Sequence, residues 1–234
     1  ERAPRRRRTL GVRPTWRSSW TCPDVTDGAV RERGLAYGAS MTRLTPLTRD
    51  QLDDEQAEVW DGLIENRGRG LELIGPDGSM IGPFNAFVHA PKVGKRLSSL
   101  GGLLRFRTSL ERRLSEVAIC TVGAHWHAEF EFWAHAPMAV EHGVSESVID
   151  ALRAGRTPEF ERDDERIVYQ IVTQLLNDHR VDEATFAAGK ELLGDLGLVE
   201  LVSTAGYYCL ISMTLNLFDV ELPAGVERRW PERR

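Results

Sequence analysis

The chain's 234 residues, 41% hydrophobic and 28% charged, have the balance of a globular protein with room for one sizeable core. No charge-free run of about 18 apolar residues is evident, so no membrane span is expected. The net charge of −5 combines a basic segment, residues 1–40 with nine Arg against four acidic residues, with an acidic remainder that argues against a nucleic-acid partner.

Cys22, Cys120 and Cys209 are odd in number and widely spaced, which provides neither a disulfide framework nor a CxxC pair and points to a reducing, cytoplasmic setting. Residues 1–40 lack any apolar period, and Arg5–Arg8 have no apolar stretch behind them. They are expected to be a disordered Arg-rich extension rather than a secretory leader. Globular sequence starts at Met41, taken as the natural start, and the helical domain is expected over 41–234.

Thr48, followed three residues later by Gln51, reads as the cap of a first helix carrying Leu52, Val59, Leu63 and Ile64 and ending near Arg67-Gly68. Glycines and Pro76 make 68–83 a loop. Pro83 suits the first turn of a helix with Phe84, Phe87 and Val88, and a short helix comes next through Leu97, Leu100, Leu103 and Leu104. Ser109 can cap a helix whose Leu110, Leu114, Val117, Ala118, Thr121 and Val122 recur at helical spacing. The next helix should run to about Glu141 and stop at His142-Gly143. Ser145 onward, Asp163–Leu176, Asp182–Leu193 and Leu198–Leu217 complete an all-α, multi-helix domain without strands or repeats.

The densest chemistry lies in His125–His135. Glu131 and His135 are four residues apart, so on a helix they share a face and can hydrogen-bond. A carboxylate beside an imidazole orients the ring and stabilises its protonated form, as a general acid or base requires. Phe130, Trp133, Ala134 and Met138 make the surroundings apolar, and Pro137 releases the Trp133 carbonyl within the same helix.

Leu114-Ser-Glu116-Val-Ala-Ile119, Glu131-Phe-Trp-Ala-His135 and Gly143-Val-Ser145 together resemble the carboxymuconolactone decarboxylase and alkylhydroperoxidase D (AhpD) superfamily. Gly82-Pro-Phe-Asn-Ala86 upstream, and Gly206-Tyr-Tyr208 with Leu215-Asn-Leu217 downstream, extend the likeness over roughly residues 45–222. The resemblance implies an AhpD-like helical fold. By position it makes His135 the motif histidine and Glu116 the upstream proton-relay glutamate, while Ala128 and Glu131 occupy the two cysteine positions of the peroxidase branch. Without those thiols, peroxide reduction by thiolate attack is not expected.

The decarboxylase branch has Glu-x-x-x-His, as here. The resemblance therefore implies an enzyme moving protons on a small carboxylated or enolisable molecule, with His135 as acid or base, Glu131 orienting it and Glu116 as a second proton carrier. No organic cofactor and no metal are implied. Asn85, His89, His127, Tyr207 and Asn216 are candidate substrate-binding residues, and Arg105 with Arg107 could hold a substrate carboxylate. The family's assemblies, with the apolar run Ala205–Leu217, imply a homo-oligomer: a dimer, trimer or hexamer. Two other readings stay open: a non-catalytic ligand-binding or oligomeric scaffold, and a metal-binding protein using His125-x-His127-x3-Glu131, the opening of a cupin motif that requires strands.

Overall fold

The computed structural model describes residues 42–67 and 73–230. The Arg-rich segment 1–40, Cys22 and the Met41 start lie outside the described residues. Among the described residues there are eight α-helices and no strand beyond two isolated bridges, Thr48 with Ser79 and Ile74 with Met80.

Thr48 does form the capping box, but around a single 3-10 turn, Arg49–Gln51; helix α1 (Asp54–Arg67) begins after an extended Leu52. The expected single helix is therefore two elements, because Gln56 and Asp53 exchange a second pair of side-chain-to-backbone bonds and restart the chain there. Helix α2 (Phe84–His89) and α3 (Pro91–Phe106) form a tight corner. A Cβ at Gly94 would stand 2.1 Å from the Phe87 carbonyl oxygen, so only glycine permits this approach.

Helix α4 (Arg112–His125) is the centre of the domain. Arg113–Gly123 are buried without interruption, as expected of a helix with neighbours on every side. It packs against α5 (Glu129–Glu141), α6 (Glu146–Arg153), α7 (Asp163–Asn177) and α8 (Glu183–Leu217). Ser109 does not cap α4, contrary to expectation. Its backbone N–H and hydroxyl both donate to Glu200 Oε2, at 2.9 and 2.5 Å, tying the α3–α4 turn to α8, and Glu111 takes the cap position.

Helix α5 continues through Pro137 and ends at Glu141, with Gly143 in the left-handed region. Asp182 caps α8 by accepting from the Thr185 backbone N–H. The expected gap at 193–198 shrinks to one residue, Gly194 (φ 63°), which breaks α8 into two helical stretches. An 18-residue window of α8 is apolar enough to cross a membrane by length and composition, in contrast to the sequence reading, but 44% of it is buried inside the domain.

Candidate active site

Three side chains from two helices meet between α4 and α5. Glu116 lies one turn beyond Arg112 on α4, while Glu131 and His135 share a face of α5. Glu116 is fully buried, and Glu131 and His135 are 4% and 5% exposed. His135 Nδ1 lies 2.7 Å from Glu116 Oε2. On its other edge, His135 Nε2 is 3.2 Å from Glu131 Oε1, which makes no aligned hydrogen bond. Glu116 is thus the closer partner, whereas the four-residue spacing alone pointed to Glu131.

The surroundings distinguish the two carboxyls. Burial pushes Glu116 toward protonation, but attraction from His135, Arg105 and Arg112 prevails and holds its pKa below the usual range. Glu131 is driven the other way: burial raises its pKa, His135 and Arg105 offset this only in part, and the neighbouring Glu116 adds to the rise. One carboxylate kept ionised and another biased toward its neutral acid, on opposite edges of one imidazole, form a line along which a proton can move. The Tyr208 ring meets His135 edge to face at 5.1 Å, and burial raises its phenol pKa well above the usual value, with Glu131 adding to it.

These opposite shifts give a test. Glu116, with its folded pKa lowered, contributes stability that is present above its unfolded pKa of about 4.3 and lost as pH falls through the folded value. Glu131, with its folded pKa raised, contributes stability that is present below about 4.3 and lost as pH rises through the folded value. Relative to wild type, Glu116→Gln should therefore lose ground with rising pH while Glu131→Gln gains it. Urea denaturation from acid to neutral pH checks this, and slopes of the same sign would refute the assignment.

The other residues singled out by sequence are engaged elsewhere. The Asn85 side chain accepts from Leu47 N at 3.1 Å and donates to the Thr45 carbonyl at 3.0 Å, and His89 Nε2 lies 2.7 Å from that same oxygen, so both fasten the incoming chain to α2. His127, in the left-handed region at φ 48°, stacks on Trp230 at 5.2 Å. Asn216 donates to the Trp126 carbonyl at 2.8 Å. The Tyr207 hydroxyl donates to the Leu97 carbonyl at 3.1 Å, and its ring meets Tyr208, placing it one residue behind the site.

His125, His127 and Glu131 do not converge, and among the described residues no three His, Cys, Asp or Glu side chains are grouped to hold a metal. Arg112 was not anticipated. Its guanidinium contacts Glu116 Oε1 at 3.3 Å and also donates to the Arg105 carbonyl. The Arg112-to-Glu116 spacing of four was the available clue.

No known family model and no curated protein matches the chain. Among solved structures it is similar to the alkylhydroperoxidase AhpD core of an uncharacterized peroxidase-related protein from Ralstonia eutropha JMP134, with a TM-score of 0.62 at 14% identity, covering 83% of this chain and 100% of that one. The likeness is one of fold. The chain has the AhpD-like all-α fold that the sequence resemblance implied.

Proposed function

We propose that the chain is an enzyme of proton-transfer chemistry, a decarboxylase or related lyase or isomerase, acting on a small carboxylated or enolisable molecule. The observation that carries this reading is the buried His135 between an ionised Glu116 at 2.7 Å and a Glu131 biased toward its neutral form. Glu116 accepts from Nδ1 and fixes the ring's orientation and tautomer. Nε2 carries the mobile proton, and Glu131 stands ready to resupply it. When a carboxylate leaves as carbon dioxide, the electron pair remains on carbon as an enolate, and protonation by the imidazolium completes the exchange.

Thiol chemistry is a poor alternative. Ala128 and Glu131 stand where the peroxidase branch has cysteines, and burial raises the Cys120 pKa well above normal, with Glu116 and Glu131 adding to the effect. Cys209 is also raised by burial. The test is a thermal-shift screen of small carboxylated and enolisable compounds, followed by mass detection of product, with Cys120→Ser and Cys209→Ser turning over as wild type does. Peroxide reduction that disappears in either cysteine variant would overturn the proposal. The scaffold reading draws on the same burial of all three side chains, and absence of turnover across the screen would favour it.

We also propose that the chain self-associates. Leu196, Val199, Ser203, Gly206, Leu210, Met213 and Leu217 alternate by three and four along α8, the seam spacing of paired helices, and Leu196, Val199 and Leu217 are each more than 60% exposed. Light scattering at micromolar concentration should give a multiple of 26.3 kDa, with Val199→Glu reducing it. A wild-type monomer would refute this.

A further inference from the structure

We infer that Arg105, seated against the Glu116–His135–Glu131 line, is the anchor for a substrate carboxylate, so that the site takes a small carboxylic acid and not a neutral carbonyl compound. This rests on the proton-transfer reading above. Arg105 lies in the last turn of α3, half-buried, with its guanidinium 5.1 Å from the Phe106 ring centroid; the Arg112 guanidinium lies 5.3 Å from the same centroid. Its Nη2 lies 3.0 Å from Sδ of Met138, three residues after His135 on α5, which seats it beside the site from the α3 side, where its positive charge favours the ionised forms of Glu116, Glu131 and Tyr208.

The two arginines are satisfied differently. Arg112 has an oxygen partner on Glu116 and another on the Arg105 backbone. The Arg105 side chain has a single hydrogen-bond acceptor among the described residues, Met138 Sδ at 3.0 Å from Nη2, and its buried Nε finds none. A thioether is a weak acceptor. Nε and Nη2 lie on one edge of the guanidinium, the edge whose two parallel N–H bonds match the two oxygens of a carboxylate.

A buried donor left without an acceptor calls for an explanation, and a carboxylate on this edge supplies one. Met138 lies one turn beyond His135 on α5, and its flexible side chain can withdraw from Nη2 to admit the anion. The cationic edge then holds the substrate against the residue proposed to deliver the proton, and Phe106, 59% exposed, marks where this cluster reaches solvent.

The experiment titrates the full chain with sodium benzoate, sodium succinate and inorganic phosphate by calorimetry. Wild type should bind a carboxylate saturably. Arg105→Gln should weaken that binding at least about tenfold, the scale of a lost charge-assisted pair. Arg105→Lys, which keeps the charge without the fork, should fall between them and also covers the case in which the glutamine variant does not fold. Arg96→Gln, which removes an exposed arginine elsewhere on α3, should bind as wild type does.

No saturable carboxylate binding, equal loss in Arg96→Gln, or phosphate binding as tight as carboxylate would overturn the inference. The His135→Gln variant separates the two readings. Carboxylate binding retained with turnover unaffected would refute the proton-transfer role and leave the anchor standing, whereas lost turnover with binding indifferent to Arg105 would refute the anchor alone.

Discussion

His135→Gln is expected to lower turnover of a substrate found by the screen by about 10²–10⁴-fold, the range for loss of a general acid or base. Glutamine is preferred to alanine because its amide can still donate to Glu116 Oε2, which lies 2.7 Å from the imidazole and has no solvent to fall back on. Alanine would leave a fully buried carboxylate short of one partner and confound loss of chemistry with loss of fold. The amide cannot accept and release a proton, so the variant removes only the chemistry. Circular dichroism and thermal melting should show a helical, cooperatively folded protein. Glu116→Gln should also lose turnover, through misorientation of the ring, with its deficit changing with pH. Turnover by His135→Gln within a few-fold of wild type would remove His135 from the mechanism.

How much of the site was legible in the sequence depends on the range of the interactions involved. Glu131 and His135 were readable as a pair because helical periodicity alone brings them together. Glu116, 19 residues upstream of His135, was reachable only through the family resemblance, since no local rule folds α4 against α5. Arg105 was read beside Arg107, yet it shares the Phe106 ring and a backbone contact with Arg112, because the α3–α4 turn reverses the chain between them.

Ser109 shows the same limit. As a local cap it was reasonable, but Glu200, 91 residues away, supplies a charged acceptor for both its donors. Asn85 and His89 were correctly seen as neighbours one turn apart. Their shared partner, the Thr45 carbonyl, lies 40 and 44 residues earlier in a segment with no periodicity to announce it. Gly194 illustrates the converse: a gap of several residues was inferred where one left-handed glycine suffices to redirect a helix.

The largest loss of stability is expected from a residue that sequence reading passed over. Arg113 sits beside the site on α4, only 4% exposed, and directs its guanidinium to three carboxylates: Nη1 to Glu165 Oε1 at 2.8 Å, Nη2 to Asp164 Oδ2 at 2.6 Å, and both Nε and Nη2 to Glu111 at 3.2 Å. The ion pairs raise the Arg113 pKa beyond its already high value, and the hydrogen bond from Arg113 is the main cause of a lowered Asp164. Glu165 is 3% exposed, so removing Arg113 strands a charge between α4 and α7. Arg113→Met should therefore cost about 3–5 kcal/mol in urea denaturation, the range for breaking a buried pair on one side. The double variant Arg113→Met, Glu165→Leu should recover more than half of that, since two packed apolar groups replace a pair whose desolvation was costly. Asp164 adds a pH dependence of known sign. Its lowered folded pKa contributes stability that is present above about 3.9 and lost as pH falls through the folded value, so the gap between wild type and Arg113→Met should narrow in acid. A single-variant cost below about 1 kcal/mol would show that α4 does not depend on this contact. The position of Glu116, one turn along the same helix, would then have to be attributed to apolar packing against α5 and α8 alone.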